Sequence, residues 1–232
     1  FSGGTTISAG TVKTLSSSSA LGAGAVNLAN VAGALLNVAG NLSIASLAGG
    51  GASGGNVSID SGVTLTTGTG NASTTYAGVI SGLGGLTKAG TGTFKLTGSN
   101  TYSGTTTINA SSTLQIGDNG TSGSLGTGTV IDNGTLTFDR SDDVLVANAI
   151  SGSGIIVKNR SNTLRLTGAN SYSGGTTVNA GTLGAYADTS LGSGSVSLVS
   201  STLMLGRAVS TIANAISLSG ASTIRMDGSV EY

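Results

Sequence analysis

Apolar and polar residues alternate with a period of two along most of the chain. The alternation is clearest in three short segments, Thr93–Thr97, Thr135–Phe138 and Thr223–Met226. A β-strand with one buried face has this period, whereas an amphipathic helix repeats about every 3.6 residues, and no stretch of the sequence carries such a stripe. Turn signals such as the run Asp132–Gly134 separate the alternating segments. We therefore predict an all-β protein with essentially no helix.

A long internal repeat underlies this pattern. Residues 79–110 and 149–180 align without a gap, so that Ile80 matches Ile150, and 17 of the 32 positions are identical. A shorter match opens the chain, in "FSGGTTISAG" from Phe1, and the first unit is lengthened by an insertion around residues 48–72. We predict one continuous segment, residues 1–232, built from three approximate units: 1–101, 102–171 and 172–232.

Such repetition predicts a solenoid, in which each coil stacks on the preceding one. A unit of about 70 residues divides into three coils of roughly 23 residues, and the chain into about ten rungs spaced about 4.8 Å apart. Equivalent residues of the units are then expected to lie above one another. Phe1, Tyr102 and Tyr172 occupy one repeat position and should share one environment.

Asparagines recur at matching places near the ends of strands. Asn100 matches Asn170, and Asn109 matches Asn179. Asparagine tolerates the left-handed backbone of turns, and its amide can bond to a neighbouring rung. We predict corner positions for all four residues.

The composition agrees with a stacked β protein. Charged residues make up 8% of the chain, against about 25% in ordinary domains. The net charge is zero and 38% of the residues are hydrophobic, so the chain can bury a core, unlike a disordered chain. It has no proline, which would interrupt ladders of paired strands, and no cysteine. Stability must therefore come from packing and hydrogen bonds.

No targeting or membrane-spanning segment is predicted. The charge-free run from Thr14 to Ile59 is interrupted by asparagine and glycine, so it lacks the roughly 20 consecutive apolar residues that a membrane helix needs. The first residues have neither a basic region nor an apolar stretch. Because the pattern is already under way at both ends, we expect the chain to be part of a longer polypeptide.

The segment Gly85–Gly117 resembles the autotransporter-associated β-strand repeat, also known as the passenger-associated transport repeat. The matching residues are Gly85-Leu86-Thr87-Lys88, Gly92-Thr93, Leu96-Thr97-Gly98, Asn100-Thr101-Tyr102-Ser103-Gly104 and Thr106-Thr107-Ile108-Asn109. The later copy departs from the pattern at Asn159-Arg160, where Ala-Gly is usual. The resemblance implies a right-handed parallel β-helix in the passenger of a Gram-negative autotransporter. Such passengers cross the outer membrane through a barrel elsewhere in the polypeptide and are secreted or displayed at the cell surface.

The sequence offers little for catalysis. Without histidine or cysteine the chain cannot form a Ser-His-Asp triad, a Cys-His pair or a typical zinc site. The one acidic cluster is Asp139, Asp142 and Asp143, beside Arg140. It could serve as a calcium loop or as an acid pair acting on sugars, but a solvated loop with an internal ion pair is the simpler interpretation. We predict no catalytic, metal or cofactor site, and these three aspartates are the remaining candidates.

Two other surface features suggest binding. Lys158, Arg160 and Arg165 could contact an anionic partner, although the zero net charge argues against nucleic acid and favours a solvated face. Thr-x-Thr pairs could form an ice-binding face if they stacked in register. They fall at different places in the repeat unit, so we do not expect that face. The pairs are Thr64/Thr66, Thr91/Thr93, Thr105/Thr107, Thr127/Thr129 and Thr135/Thr137.

The function predicted from these observations is structural or adhesive. Stacked rungs form a stiff rod whose uncharged hydroxyl and amide faces can associate with another copy, side by side or end to end, or with a receptor on a host or neighbouring cell. The alternatives are a β-helical enzyme acting on polysaccharides and the scaffold portion of a secreted toxin. No enzyme activity, cofactor or nucleic acid is expected.

Overall fold

The computed structural model describes residues 3–15 and 21–228, and within those ranges it contains 26 strands and no helix. The strands of the first half are β1 Thr5–Ile7, β2 Thr11–Thr14, β3 Ala25–Leu28, β4 Leu35–Val38, β5 Leu42–Ile44, β6 Ser46–Gly49, β7 Asn56–Ile59, β8 Thr64–Thr67, β9 Thr74–Tyr76, β10 Ile80–Gly82, β11 Gly85–Lys88, β12 Thr93–Leu96 and β13 Thr106–Ile108. Those of the second half are β14 Thr113–Gly120, β15 Val130–Asp132, β16 Thr135–Arg140, β17 Val144–Val146, β18 Ile150–Ser151, β19 Ile155–Lys158, β20 Thr163–Leu166, β21 Thr176–Val178, β22 Thr182–Ala185, β23 Val196–Val199, β24 Thr202–Leu205, β25 Ile216–Ser219 and β26 Thr223–Met226.

The strands form four parallel sheets. Sheet I has the order β1-β3-β6-β9-β12-β14-β16-β19-β21-β23-β25, sheet II β2-β4-β7-β10, sheet III β5-β8-β11-β13-β15-β18, and sheet IV β17-β20-β22-β24-β26. Along the chain, most sheet I strands are followed by one of sheet II in the early turns or sheet IV in the later turns, and most turns up to β18 also contain a sheet III strand. The sheet I strands β12 and β14 are followed directly by β13 and β15 of sheet III. The eleven strands of sheet I mark eleven turns. The predicted all-β parallel solenoid is confirmed, with one turn more than expected.

The length of a turn explains the difference. In sheet I, one turn takes the chain from Phe94 to its partner Leu114, and the next takes it from Leu114 to Leu136. The step in sheet III from Thr106 to Val130 is longer than either. Most turns are nevertheless shorter than the roughly 23 residues predicted. Three turns therefore contain fewer residues than the about 70 that separate the two repeat copies.

The prediction that equivalent repeat residues stack on one another is wrong. Strand β11 lies in sheet III, whereas its counterpart in the later copy, β19, lies in sheet I. In the same way β13 lies in sheet III and its counterpart β21 in sheet I. The spacing between the copies corresponds to three turns plus one face, so the repeat moves around the rod from copy to copy.

The core lies inside the coil and follows the alternation of the strands. In β12, Phe94 and Leu96 point inward and are buried, while Thr93 and Lys95 point outward. Stacked inward residues form continuous apolar columns, such as Leu36, Val57 and Ile80 in sheet II. Removing these side chains from water is the main favourable contribution to folding.

Glycines of the repeat allow neighbouring turns to approach closely. A Cβ atom on Gly104 would lie 2.3 Å from the carbonyl oxygen of Gly84, and one on Gly174 would lie 2.3 Å from that of Gly154. Any larger residue would push the turns apart. The Tyr-Ser-Gly phrase thus repeats because each copy needs a glycine at this backbone crossing.

Candidate functional site

The three aspartates of the acidic cluster have different partners. Asp139 lies in strand β16 and is buried, so the predicted solvated loop is wrong for this residue, whereas Asp142 and Asp143 follow the strand. Asp139 forms an ion pair with Arg160 of the next turn and accepts a hydrogen bond from Nε2 of Gln115 at 3.2 Å. Asp143 lies at the following corner, where its Oδ1 accepts the backbone N–H of Thr163 at 2.7 Å. Both carboxylates connect one turn to another.

Asp142 is bound by Arg140 within the same turn. The guanidinium donates from Nε to Oδ1 at 2.8 Å and from Nη2 to Oδ2 at 2.5 Å, and it holds the pKa of this carboxyl below its usual value. Arg140 also donates to the carbonyl oxygens of Thr121 and Gly123, both at 2.7 Å. The pair therefore secures the irregular segment after β14.

The cluster does not converge on a cleft. A cavity of about 160 Å³ beside it is lined by Asp143 and Arg140 but not by Asp139 or Asp142. Over residues 3–15 and 21–228, no group of three His, Cys, Asp or Glu side chains is arranged to hold a metal ion. The arrangement supports structural roles for these acids and favours neither a calcium loop nor an acid pair.

The predicted solvated basic face is wrong for Lys158. This side chain is only 1% exposed and points into the coil, because it lies two residues after the inward-facing Ile156 in β19. Arg160 is paired with Asp139, and the Arg165 guanidinium lies 5.7 Å from the centre of the Tyr186 ring. The three cations therefore contact residues of the same chain in three different ways.

Buried lysines are a shared feature of the two repeat copies. Nζ of Lys88, which is fully buried, donates to the carbonyl oxygens of Ala89 at 2.6 Å and Gly90 at 3.1 Å. Its counterpart Lys158 donates to the carbonyl oxygen of Arg160, to Oδ1 of Asn162 at 2.9 Å and to the carbonyl oxygen of Ala180 at 3.1 Å.

Burial lowers the pKa of both ammonium groups, that of Lys158 to about 8. The acceptors compensate part of the cost of burying the charge. Each lysine thus closes a corner of the coil by binding carbonyl groups that lie outside the strands.

The corner asparagines connect turns as predicted. Oδ1 of Asn100 accepts the backbone N–H of Ile80 at 2.8 Å, and its Nδ2 donates to the carbonyl oxygen of Ser124 at 2.7 Å. Asn170 makes the same two bonds, with Ile150 at 2.8 Å and with the carbonyl oxygen of Ser190 at 2.7 Å. Each amide therefore binds the turn before it and the turn after it.

The second pair of predicted corner residues includes Asn179, which also contacts a neighbouring turn. Nδ2 of Asn179 reaches Oδ1 of Asn159 one turn earlier at 2.9 Å. None of the four predicted corner asparagines has the left-handed backbone that asparagine tolerates. In the described ranges, the residues other than glycine with positive φ are Asn71, Ser111, Asn119 and Ser200.

The repeated tyrosines have matching environments. Tyr102 and Tyr172 are fully buried, and their hydroxyl groups lie 2.7 Å and 2.6 Å from Oγ1 of Thr106 and Thr176. Burial raises the pKa of both phenols, that of Tyr172 to about 12. Their shared environment is confirmed, although they lie on different faces of the rod. Phe1, predicted to share it, lies outside the described residues.

One inward carboxyl was not singled out from the sequence. Asp132 ends strand β15 and is fully buried, and its Oδ2 atom has no hydrogen-bond partner within residues 3–15 and 21–228. Burial raises its pKa to about 6, against the opposing effect of backbone N–H donors from Gly134 and Leu136. The signal was available, since Asp132 has the same parity as the inward Val130.

The outer surface of sheet III is a ladder of hydroxyl groups, which we call the hydroxyl face. One column, read in turn order, is Ser43, Thr66, Thr87, Thr107, Ile131 and Ser151. The other is formed by the residues two positions earlier in the chain, Asn41, Thr64, Gly85, Thr105, Thr129 and Ala149, which lie at or just before the starts of the same strands. Oγ1 of Thr105 lies 3.3 Å from Oγ1 of Thr129 in the next turn. None of the twelve residues is charged.

The ladder corrects the expectation that the Thr-x-Thr pairs are out of register for two of the five pairs. Thr64/Thr66 and Thr105/Thr107 occupy the same columns, separated by the turn that carries Thr87. They lie at different places in the repeat unit, but the unit is not a whole number of turns. Stacking could therefore not be deduced from positions within the unit.

Comparison with known proteins agrees with this architecture. The passenger-associated-transport-repeat family matches residues 1–13, 86–110 and 156–185. The chain is also similar to the adhesin BmaC autotransporter of Brucella suis biovar 1 (strain 1330), with 47% identity over 98 residues, which is 41% of this chain and 3% of that protein. No solved structure matches.

The chain is therefore a parallel β-helix that is similar, over these residues, to passenger repeats and to part of an autotransporter adhesin. The chain contains passenger-associated transport repeats, as its motifs predicted, and the same matches support the predicted location, secreted or displayed at the cell surface. It spans only 3% of the length of the relative. In residues 3–15 and 21–228, no helix is long and apolar enough to cross a membrane.

Proposed function

We propose that the chain is a non-enzymatic, adhesive part of a cell-surface rod. Its similarity to a protein named as an adhesin carries this proposal. The eleven-turn coil supports it, because the coil presents long, regular outer surfaces and its described acids are used within the coil. We expect this segment to contribute length and contact area.

Adhesion would arise from many weak contacts between rods. A neutral surface of hydroxyls and amides is not repelled by a copy of itself, and each hydroxyl can both donate and accept. One hydrogen bond contributes only about 1 kcal/mol, so many parallel contacts are needed. Display of many rods on one cell supplies that multiplicity.

A display experiment tests the proposal. Bacteria that carry the chain on their surface should settle faster and attach in greater numbers to a layer of host cells than matched bacteria displaying an unrelated β-helix. If both settling and attachment equal those of the control, the adhesive role is wrong. An assay of the purified chain on polysaccharides is expected to show no cleavage, and reproducible cleavage lost in Asp139→Asn would support the enzymatic alternative instead.

A further inference from the structure

The outer surfaces of the rod differ in charge. Sheet I carries ion pairs on its outside, Lys95 with Asp118 at 2.7 Å and Arg160 with Asp139. The hydroxyl face on sheet III carries no charge over six consecutive strands. A surface with ordered ionic groups keeps its hydration, whereas a neutral hydroxyl surface can exchange water for equivalent groups at little cost.

The hydroxyl face has a shape as well as a chemistry. Gly85 interrupts the second column and leaves an open notch of about 300 Å³, whose lining includes Thr87 and Thr107. Leu83 lies beside the notch, and 65% of its surface is exposed. Ile131, 39% exposed, projects from the same face two strands away from Thr87.

We propose that the hydroxyl face docks against the hydroxyl face of a second copy of this chain, an inference that rests on the adhesive function proposed above. A second copy has the same spacing between turns, so hydroxyl ladders on two copies can meet turn by turn. A two-fold axis parallel to β13 places Thr107 of both copies opposite each other. It also places Ile131 of each copy opposite Thr87 of the other, at the rim of the notch.

The size of the face decides how strong such docking can be. Six strands span about 24 Å along the rod, and two columns with their side chains span about 14 Å, so a pair buries roughly 700 Å² in total. Stable specific interfaces bury about 1,200–2,000 Å². A single pair is therefore expected to dissociate readily, and association becomes appreciable when many copies are displayed together.

Charge substitution tests the face with a matched control. Thr107→Lys places two like charges opposite each other on the axis and should slow the settling of displaying cells by about tenfold. Thr177→Lys makes the same change on the outside of sheet I, between Val157 and Ser197, and should leave settling unchanged.

A crosslinking experiment identifies the surface directly and does not depend on the lysine variant folding. The chain has no cysteine, so Thr107→Cys or Thr177→Cys introduces a single thiol. A bismaleimide with a reach of about 10 Å, the usual spacing of sheets packed face to face, should join two copies through position 107 and not through 177.

The results separate this inference from the proposed function. If settling persists in Thr107→Lys, or both cysteine variants crosslink equally, the hydroxyl face is not the contact although adhesion stands. If cells displaying the unmodified chain neither settle nor attach, the adhesive function fails and the docking inference fails with it.

Discussion

The two complete copies of the repeat keep their local contacts but lie on different faces of the rod. Residues 79–110 run through sheets II, III and I and return to III, whereas residues 149–180 run through sheets III, I and IV and return to I. Both copies bury a tyrosine, a lysine and a corner asparagine, and the tyrosines and asparagines make equivalent contacts. We infer that the motif encodes a way of closing a turn, while the composition of the outer surfaces depends on the length of the turns.

The tyrosines give the largest expected effect of this comparison. Tyr102→Ala and Tyr172→Ala each leave a large cavity in the core and should lower the free energy of unfolding by about 4 kcal/mol. Denaturant unfolding of the purified chain measures both values. Removing only the hydroxyl, in Tyr102→Phe and Tyr172→Phe, should cost about 1 kcal/mol. A strong effect in one copy alone would show that the two environments are not equivalent.

The asparagines come next. Asn100→Ala and Asn170→Ala remove the acceptor of a buried backbone N–H and should each cost about 2–3 kcal/mol. Hydrogen exchange at Ile80 and Ile150 should become faster in the corresponding variant and stay unchanged in the other. Equal exchange in both variants would argue against amides that connect the turns.

The buried Asp132, which lies between the two copies, makes the surroundings of their tyrosines differ. Its charge raises the pKa of Tyr172, and no such effect acts on Tyr102. Because its own pKa rises to about 6 on folding from 3.8, the folded state binds the extra proton. The contribution of this group to the free energy of unfolding is complete below about pH 4 and is lost as the pH rises through about 6.

Asp132→Asn removes that dependence. The variant should gain about 1–3 kcal/mol over the unmodified chain at pH 7.5 and should gain little at pH 4. Thermal unfolding of both proteins across this range supplies the difference. Parallel curves, with a constant gap at every pH, would contradict a buried carboxyl that titrates near pH 6.

The smallest effect is expected from the charged outer surface of sheet I. Lys95 and Asp118 are both partly exposed, so Lys95→Ala should change the free energy of unfolding by at most about 0.5 kcal/mol. High salt should reduce even that difference. A loss as large as that of the corner asparagines would mean that the surface ion pairs, and not the interior contacts, hold the turns together.

The alternation predicted the strands and their buried faces, the internal repeat predicted the solenoid, and the recurrence of Asn100 and Asn170 predicted their corner roles. The alternation also places Lys158 and Asp132 on the inward face of their strands, which hydropathy alone does not suggest because these side chains are charged. The lengths of the corners are not marked by any periodic signal. In sheet III the step that ends at Thr106 is shorter than the step that begins there, and such small differences decide which columns form.

The hydroxyl face shows the consequence for the candidate surface. Thr66, Thr87 and Thr107 come from different places in the repeat, so comparison of the copies could not align them. Their stacking requires the actual register of the turns. The acidic cluster shows the reverse, since the sequence predicted a loop with an internal ion pair and the structure has Arg140 paired with Asp142.

Cysteine pairing tests the register, on which both the displaced repeats and the hydroxyl face depend. Thr87 and Thr107 are paired across adjacent strands, within the roughly 4.4–6.8 Å between Cα atoms that a disulfide spans. In the cysteine-free chain, the double variant Thr87→Cys/Thr107→Cys should form an intramolecular disulfide on mild oxidation, and Thr87→Cys/Ala110→Cys should not. Turns of the length predicted from the repeat would instead place Ala110 beside Thr87. With turns of that length, Thr87→Cys/Ala110→Cys would form the disulfide and Thr87→Cys/Thr107→Cys would not. That result would contradict the register described for this rod.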